Sequence, residues 1–371
     1  MPFRSRFLDN LRKQAWSLLP LPKPDFTTAI HHVRIDEAPL RASYASSPLS
    51  QQSNTFVLYR IIGNDLPPRH REGQSLANLR FILENEPALA HCEKRWVVNR
   101  ITDSAQEAAV LALLAQHNQP VLHLPFVADE YIRLGLDLTC LPSPDYFSSQ
   151  RFSQLSQKKK NRLLGAAHRL KNLYVMNNNG ARNAALADGR PRAKWVLPFD
   201  GNCFFTTTAW GRLVADVTAR PWLKYFAVPM ARLLDNQRLF DPNFVPPAKE
   251  EPQLLFRRDA AESFHPDFPY GRRPKVELFW RLGIPGPWDL WTESAWDIPR
   301  RPLSPEAYQF GAAGWVARLF SGVPHLEIEG RGIPSQRGVA RQEAILTLFQ
   351  TLDQTYGSPS SSASQPASTP P

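Results

Sequence analysis

One pattern recurs along the chain and leaves few folds open: a short, largely apolar, β-branched and aromatic run that stops at small polar residues. It appears at Thr55 to Ile62, ending in Gly63-Asn64-Asp65, and again at Arg95 to Ile101, ending in Thr102-Asp103. Pro120 to Phe126 gives a third run, and Trp195 to Phe199, closed by Asp200-Gly201-Asn202, a fourth. Runs of this length without polar alternation fit strands covered on both faces. Helical stretches separate them, at Ser75 to Glu86, Ala105 to Gln116, about Ser156 to Leu173 and Ala181 to Asp188, while residues 127 to 160 read as an irregular insertion. Strand and helix in alternation predict an α/β fold with a mostly parallel sheet wound with helices. Tyr225 to Met230 and Gln253 to Arg257 read as further strands, and Arg337 to Thr355 as a last helix.

In open parallel sheets ligands bind beyond the carboxyl ends of the strands, so the polar ends at Gly63-Asn64-Asp65, Asn99 to Asp103 and Asp200-Gly201-Asn202 should converge on one rim. Asp200 sits between two intensely apolar stretches in KWVLPFDGNCFF. A carboxylate followed by glycine and an amide oxygen is suited to hold a hard divalent cation, which in turn can neutralise a diphosphate. The plainer reading of the same residues is a β-turn with Asx chemistry.

Upstream stands Asn177-Asn178-Asn179-Gly180-Ala181-Arg182-Asn183-Ala184-Ala185-Leu186. An Ala-Arg-Asn helix, a short spacer and a hydrophobic strand ending in an aspartate motif, in that order over residues 54 to 230, resemble the GT-A fold glycosyltransferases, especially the family-2-like enzymes. The resemblance implies a nucleotide-sugar donor whose base and ribose meet Arg60, Asn64, Asp65 and Asp103. Arg182 or Asn183 would orient the diphosphate or sugar, and Asp200 with Asn202 would hold Mn or Mg. The acceptor would be a glycan or other cell-surface carbohydrate. The departure is Asn202, where the family carries aspartate: one negative charge is lost, metal affinity should fall, and the cation becomes dispensable. A non-catalytic carbohydrate- or nucleotide-binding module on the same scaffold is the alternative.

Glycosyl transfer with inversion needs a carboxylate base for the acceptor hydroxyl; retention does not. The later half supplies Asp259, Glu262, Asp267, Glu277, Asp289 and Glu293, with Asp259 the first choice because it ends an expected strand. His265 is a candidate to complete a metal shell. Trp280, Trp288, Trp291 and Trp296 read either as core or as a sugar-stacking groove, and Gly311 to Trp315 as close helix packing or a tight turn. Arg69 and His70, in the loop after the first strand, either approach a phosphate or lie on the surface.

The 371 residues, 43% hydrophobic, divide into a basic amphipathic helix and proline-containing linker (1–53), a GT-A-like core (54–260), an aromatic and proline-rich extension packed on it (261–356) and a Ser/Pro tail (357–371). A net charge of +10 favours anionic partners. The basic run around Lys158-Lys159-Lys160 lacks the interleaved aromatics of a nucleic-acid module, so no nucleic acid is expected. In residues 3–19, apolar positions at helical spacing oppose Arg4, Arg6, Arg12 and Lys13, which fits either an anionic membrane surface or a docked terminal helix. Three scattered cysteines make neither a disulfide framework nor a metal motif. No spanning apolar run occurs, so the expected setting is the cytoplasm, at most peripheral to a membrane.

Overall fold

The computed structural model describes residues 30, 33, 35–271, 273–290, 298–327 and 333–357; the expectations for residues 3–19, for Trp291, Glu293 and Trp296, and for the tail beyond 357 lie outside them. Among the described residues no helix is long and apolar enough to cross a membrane. The stretch expected as a linker is folded in its later part. Pro39 in the first turn opens α1 (Ala38–Ala45), and Leu49 in the 3-10 turn that follows is buried.

The sheet begins with β1 (Phe56–Ile62), α2 (Gln74–Asn85), β2 (Cys92–Asn99), α3 (Ser104–Gln116) and β3 (Val121–Leu124). Residues 127 to 160 are not wholly irregular: single helical turns form at Ala128–Ile132 and Gln150–Ser153, and Tyr131 is fully buried. The long helix expected after Ser156 is broken at His168, whose Nδ1 turns back to the Leu164 carbonyl at 2.8 Å, giving α4 (Gln157–Ala167) and α5 (Arg169–Met176). Asn177 then takes the left-handed conformation (φ 43°) and starts α6 (Asn178–Gly189). The remaining elements are β4 (Trp195–Asp200), β5 (Cys203–Phe204), α7 (Thr207–Ala219), β6 (Tyr225–Arg232), β7 (Glu250–Arg257), α8 (Val276–Leu282), β8 (Phe310–Ala312), β9 (Val316–Arg318) and α9 (Ile333–Tyr356).

The strand order is β3-β2-β1-β4-β7-β6-β9-β5, with β8 also paired to β6. The chain moves outward from β1 to β3 and returns to the other side of β1 as β4, all four parallel. This reversal opens a crevice between the carboxyl ends of β1 and β4. β7 runs antiparallel to both β4 and β6, while β9 is parallel to β6. The first residues of β7, Glu250 and Glu251, therefore stand on the same rim as Asp200, Arg232 and Arg318, which close β4, β6 and β9. Because β8 and β9 come from beyond residue 260, the boundary expected there does not divide the sheet.

The central strands are buried on both faces. Phe56, Leu58 and Leu197 pack towards α2, α3 and α7, and Val57, Tyr59 and Val196 towards α6 and α8. Each such side chain is worth roughly 1.5–3 kcal/mol in area removed from water. The Gly311–Trp315 stretch is a case of close helix packing: a Cβ on Gly314 (φ 44°) would lie 2.8 Å from the backbone nitrogen of Leu213 in α7. Trp288 is buried and donates to the Ile284 carbonyl, and Trp280 packs against the same core, so both belong to it.

Arg60 interrupts β1 inside this core. It is fully buried, donates through Nε to the Cys203 carbonyl at 2.7 Å and pairs with the equally buried Glu86. Its position in the donor site is thereby corrected: alternation along a strand sends it to the α2 side of the sheet, away from the rim. A buried charge stripped of its partner costs about 3–5 kcal/mol. Glu86→Ala should lose that much in urea unfolding, and the Arg60→Met/Glu86→Leu double variant should recover most of it.

Candidate functional site

The crevice widens into a cavity of about 520 Å³ whose floor is the rim of the sheet. Gly201 lets the two loops approach: a Cβ there would lie 2.4 Å from the Ile61 carbonyl oxygen. Asp200 sits on that floor with 32% of its side chain exposed. Its Oδ1 accepts from Arg182 Nη2 at 2.7 Å, its Oδ2 accepts from Gln253 Nε2 at 2.8 Å, and Lys275 Nζ lies 3.5 Å away. Burial alone would raise the Asp200 pKa, but Lys275 and Arg182 outweigh it and hold the carboxyl far below the usual carboxylate range.

The asparagine-rich entry to α6 holds this arrangement in place. Asn177 donates to the Asn99 side chain (2.8 Å), tying α6 to the end of β2. Asn179 donates to the carbonyls of His265 (2.8 Å) and Pro274 (2.7 Å) and accepts from Arg182 Nη1 (3.0 Å). Asn183 exchanges two hydrogen bonds with the backbone of Phe264. These side chains anchor the 264–275 segment, and that segment delivers Lys275.

Of the candidate side chains named from the sequence, Asn64, Asp65, His70, Arg182, Asp200 and Asn202 line the cavity. Asn64 and Asp65 are already committed to the frame. Asn64 bridges to Arg100 and Thr102 at the end of β2, and Asp65 accepts from Ser75 and from Gln106 on α3. Burial raises the Asp65 pKa despite those bonds. Four residues stand elsewhere, and each is a correction. Arg60 is in the core, as described; Asp103 caps the exposed start of α3 through the Ala105 and Gln106 amides. Asn183 is the backbone staple to Phe264. Asp259 pairs with Arg257 (2.6 and 2.9 Å) at the end of β7 that lies beside Trp195, the opposite end of β4 from Asp200. Glu262 and Glu277 are bound to Arg281, and His265 accepts from the Asp267 amide; none lines the cavity.

The carboxylates that do line it are Asp65, Asp200, Glu250 and Glu251, and the cations include Arg182, Arg232, Lys275, Arg318 and Arg341. Arg69 is buried, paired to Glu327 and Ser321, and the neighbouring His70 is pushed down to about 3 by burial and then by Arg69 and Arg318, so it is neutral near pH 7. Arg69 is thus a core group, and His70 is a partly exposed residue of the cavity wall. Glu250, Lys275 and the arginines closing β6 and β9 escaped the sequence reading. The available signal was that both Phe226 to Arg232 and Trp315 to Arg318 end in Ala-Arg after an apolar run.

These residues do not fit a hard dication. Both oxygens of Asp200 already accept hydrogen bonds, two cationic groups lie within 3.5 Å of it, and among the described residues no three His, Cys, Asp or Glu side chains gather as a metal site. The position expected to be filled by metal charge is filled by Arg182 and Lys275.

No protein-family model matches the chain, and the search of curated proteins finds no match. Among solved structures, glucosyl-3-phosphoglycerate synthase from Mycobacterium tuberculosis, in complex with Mg2+ and uridine diphosphate, is similar at 12% identity over 89% of this chain and 86% of that one, with a TM-score of 0.28. That likeness is too loose to transfer any residue's role.

Glu250 is held down to about 2, against burial, chiefly by Arg232, from an ordinary value of 4.5. The folded state therefore binds fewer protons than the unfolded one, and this stabilisation is full above pH 4.5 and lost as the pH falls towards 2. Melting temperatures should drop most steeply in that window, and Glu250→Gln should flatten the drop.

Proposed function

We propose that the chain is a glycosyltransferase that holds a nucleotide-diphosphate sugar in the crevice between β1 and β4 and passes the sugar to a carbohydrate acceptor. The observation that carries this reading is the switch-point crevice with Arg182 and Lys275 fixed around Asp200 on its floor. In the transfer, the bond between the anomeric carbon and the diphosphate breaks as the acceptor oxygen bonds to that carbon, and negative charge grows on the leaving diphosphate. Preorganised cations aimed at that charge are the largest contribution a protein can make to such a step. Arg182 offers a planar fork, held by Asn179 and Asp200, and Lys275 a point charge carried on the anchored segment.

For an inverting transfer, Glu251 is the base this reading assigns in place of Asp259. It lines the cavity, is 34% exposed and has Lys275 at 3.2 Å. The acceptor proton passes to its carboxylate as the new glycosidic bond forms. The completed charge balance at Asp200 favours one further reading, a nucleotide-binding module without turnover.

Thermal melts with UDP and GDP test the donor site. A bound nucleotide at a hundred times its Kd should add about 2.7 kcal/mol of stability. The expected result is a stabilisation as large in EDTA as with manganese and absent in Lys275→Met; no stabilisation by either nucleotide overturns the proposal. Glu251→Gln should keep the stabilisation and lower sugar transfer by roughly 10²–10⁴. Wild-type protein that binds nucleotide yet transfers no sugar to any carbohydrate supports the binding module instead.

A further inference from the structure

The far half of the cavity holds a cluster of arginines that the donor site does not use. Arg232 and Arg318 enter from the ends of β6 and β9, and Arg337 and Arg341 from the start of α9. The side chains of Arg232, Arg318 and Arg337 are no more than 19% exposed. Among the described residues, two carboxylates answer them. Glu250 lies 2.6 Å from Arg232 but 3.8 Å from Arg318 and 3.9 Å from Arg337, and Glu327 is shared between Arg232 and the buried Arg69. Arg341 lies over the Tyr270 ring at 5.2 Å, and its Nε is buried without a hydrogen-bond partner. Arg69 likewise has Nε and Nη2 buried and unpartnered behind the wall.

Among the described residues, positive charge is therefore in excess in this half of the cavity. Arg232 is pulled down to about 10 by burial first and by Arg318 next, with Glu250 opposing, and the same crowding helps keep His70 neutral. An anion entering here relieves the repulsion and supplies acceptors for the unused guanidinium edges. The cluster is distinct from the Asp200 site: β4 and β6 are separated by β7, so their ends lie two strand spacings apart, on the order of 10 Å.

We propose that this arginine cluster is the acceptor subsite and that it binds a phosphate monoester group, which makes the carbohydrate acceptor a phosphorylated one. Several guanidinium forks around one point suit the three terminal oxygens of a phosphate better than the two of a carboxylate. The assignment of the group to the acceptor rests on the donor reading above; the anion subsite itself does not.

Calorimetric titration of the full chain with inorganic phosphate, alone and at saturating UDP, tests both parts. Phosphate should bind in both conditions, and Arg341→Gln should weaken it by about tenfold or more, one lost charge-assisted contact, while UDP affinity stays within about threefold. Arg337→Gln, in the first turns of α9, gives the same readout if Arg341→Gln does not fold. Glu250→Gln, which removes the competing carboxylate, should tighten phosphate, an effect that mere damage to the fold would not produce. Mutual exclusion of phosphate and UDP, or wild-type phosphate binding in both arginine variants, overturns the subsite. Malonate binding as tightly as phosphate overturns the phosphate assignment. Phosphate binding that is lost in the arginine variants, with no UDP binding at all, leaves the subsite standing and overturns the donor reading instead.

Discussion

A carboxylate at the end of a buried strand is unstable unless other charges answer it, and the surroundings of Asp200 are organised by that requirement. Removing an ionised carboxyl from water costs several kcal/mol, so the fold brings it Arg182, Lys275 and Gln253 from three separate stretches of chain. α6 must start at the right height to present Arg182, β7 must insert antiparallel beside β4 to present Gln253, and the 264–275 segment must be fastened to α6 to present Lys275. The asparagines at the start of α6 do that fastening. The Asn179 amide donates to the backbone carbonyls of His265 and Pro274 and so ties that segment to the helix.

The reversed direction of β7 has a second consequence. Had it run parallel to its neighbours, its first residues would lie at the amino rim, and Glu250 and Glu251 would be absent from the cavity. Reversal brings two carboxylates to a rim otherwise rich in arginine, and these keep the cations apart and soluble in the protein interior without neutralising them fully. The resulting space is charged at both ends: a compact cluster around Asp200, balanced and tightly hydrogen bonded, and a looser arginine cluster around Glu250 that is not. On the proposed reading, this asymmetry lets one cavity treat two anionic groups differently.

The same side-chain types carry opposite duties according to where the sheet places them. Arg60 and Arg182 are both buried and both paired to a carboxylate. Arg60 lies within a strand on the α2 face and only holds the core together, while Arg182 lies near the start of a helix at the rim and reaches the cavity. Asp103 and Asp65 both follow strands, yet Asp103 caps the exposed start of a helix and Asp65 is half-buried in a network that includes Gln106 of that same helix.

Local chemistry determined a good deal of this protein. Largely apolar runs specify strands buried on both faces, their polar ends specify a rim, and the order of the Ala181-Arg182-Asn183 helix and the Asp200 strand specifies which rim residues meet. Asn64, Asp65, Arg182, Asp200 and Asn202 were legible for that reason, because each lies within a few residues of a strand or helix end. Period-two alternation could also have removed Arg60 from the site. The direction of β7, the break at His168 and the arrival of Lys275, Arg337 and Arg341 at the cavity were decided by tertiary structure. Strand direction and long-range docking depend on which surfaces bury each other across scores of residues, and no local pattern encodes that choice. The distinction between Asp259 and Glu251 has the same origin: Glu251 lies at the start of β7 and Asp259 just past its end, and only the sense in which that strand enters the sheet determines which of the two reaches the cavity.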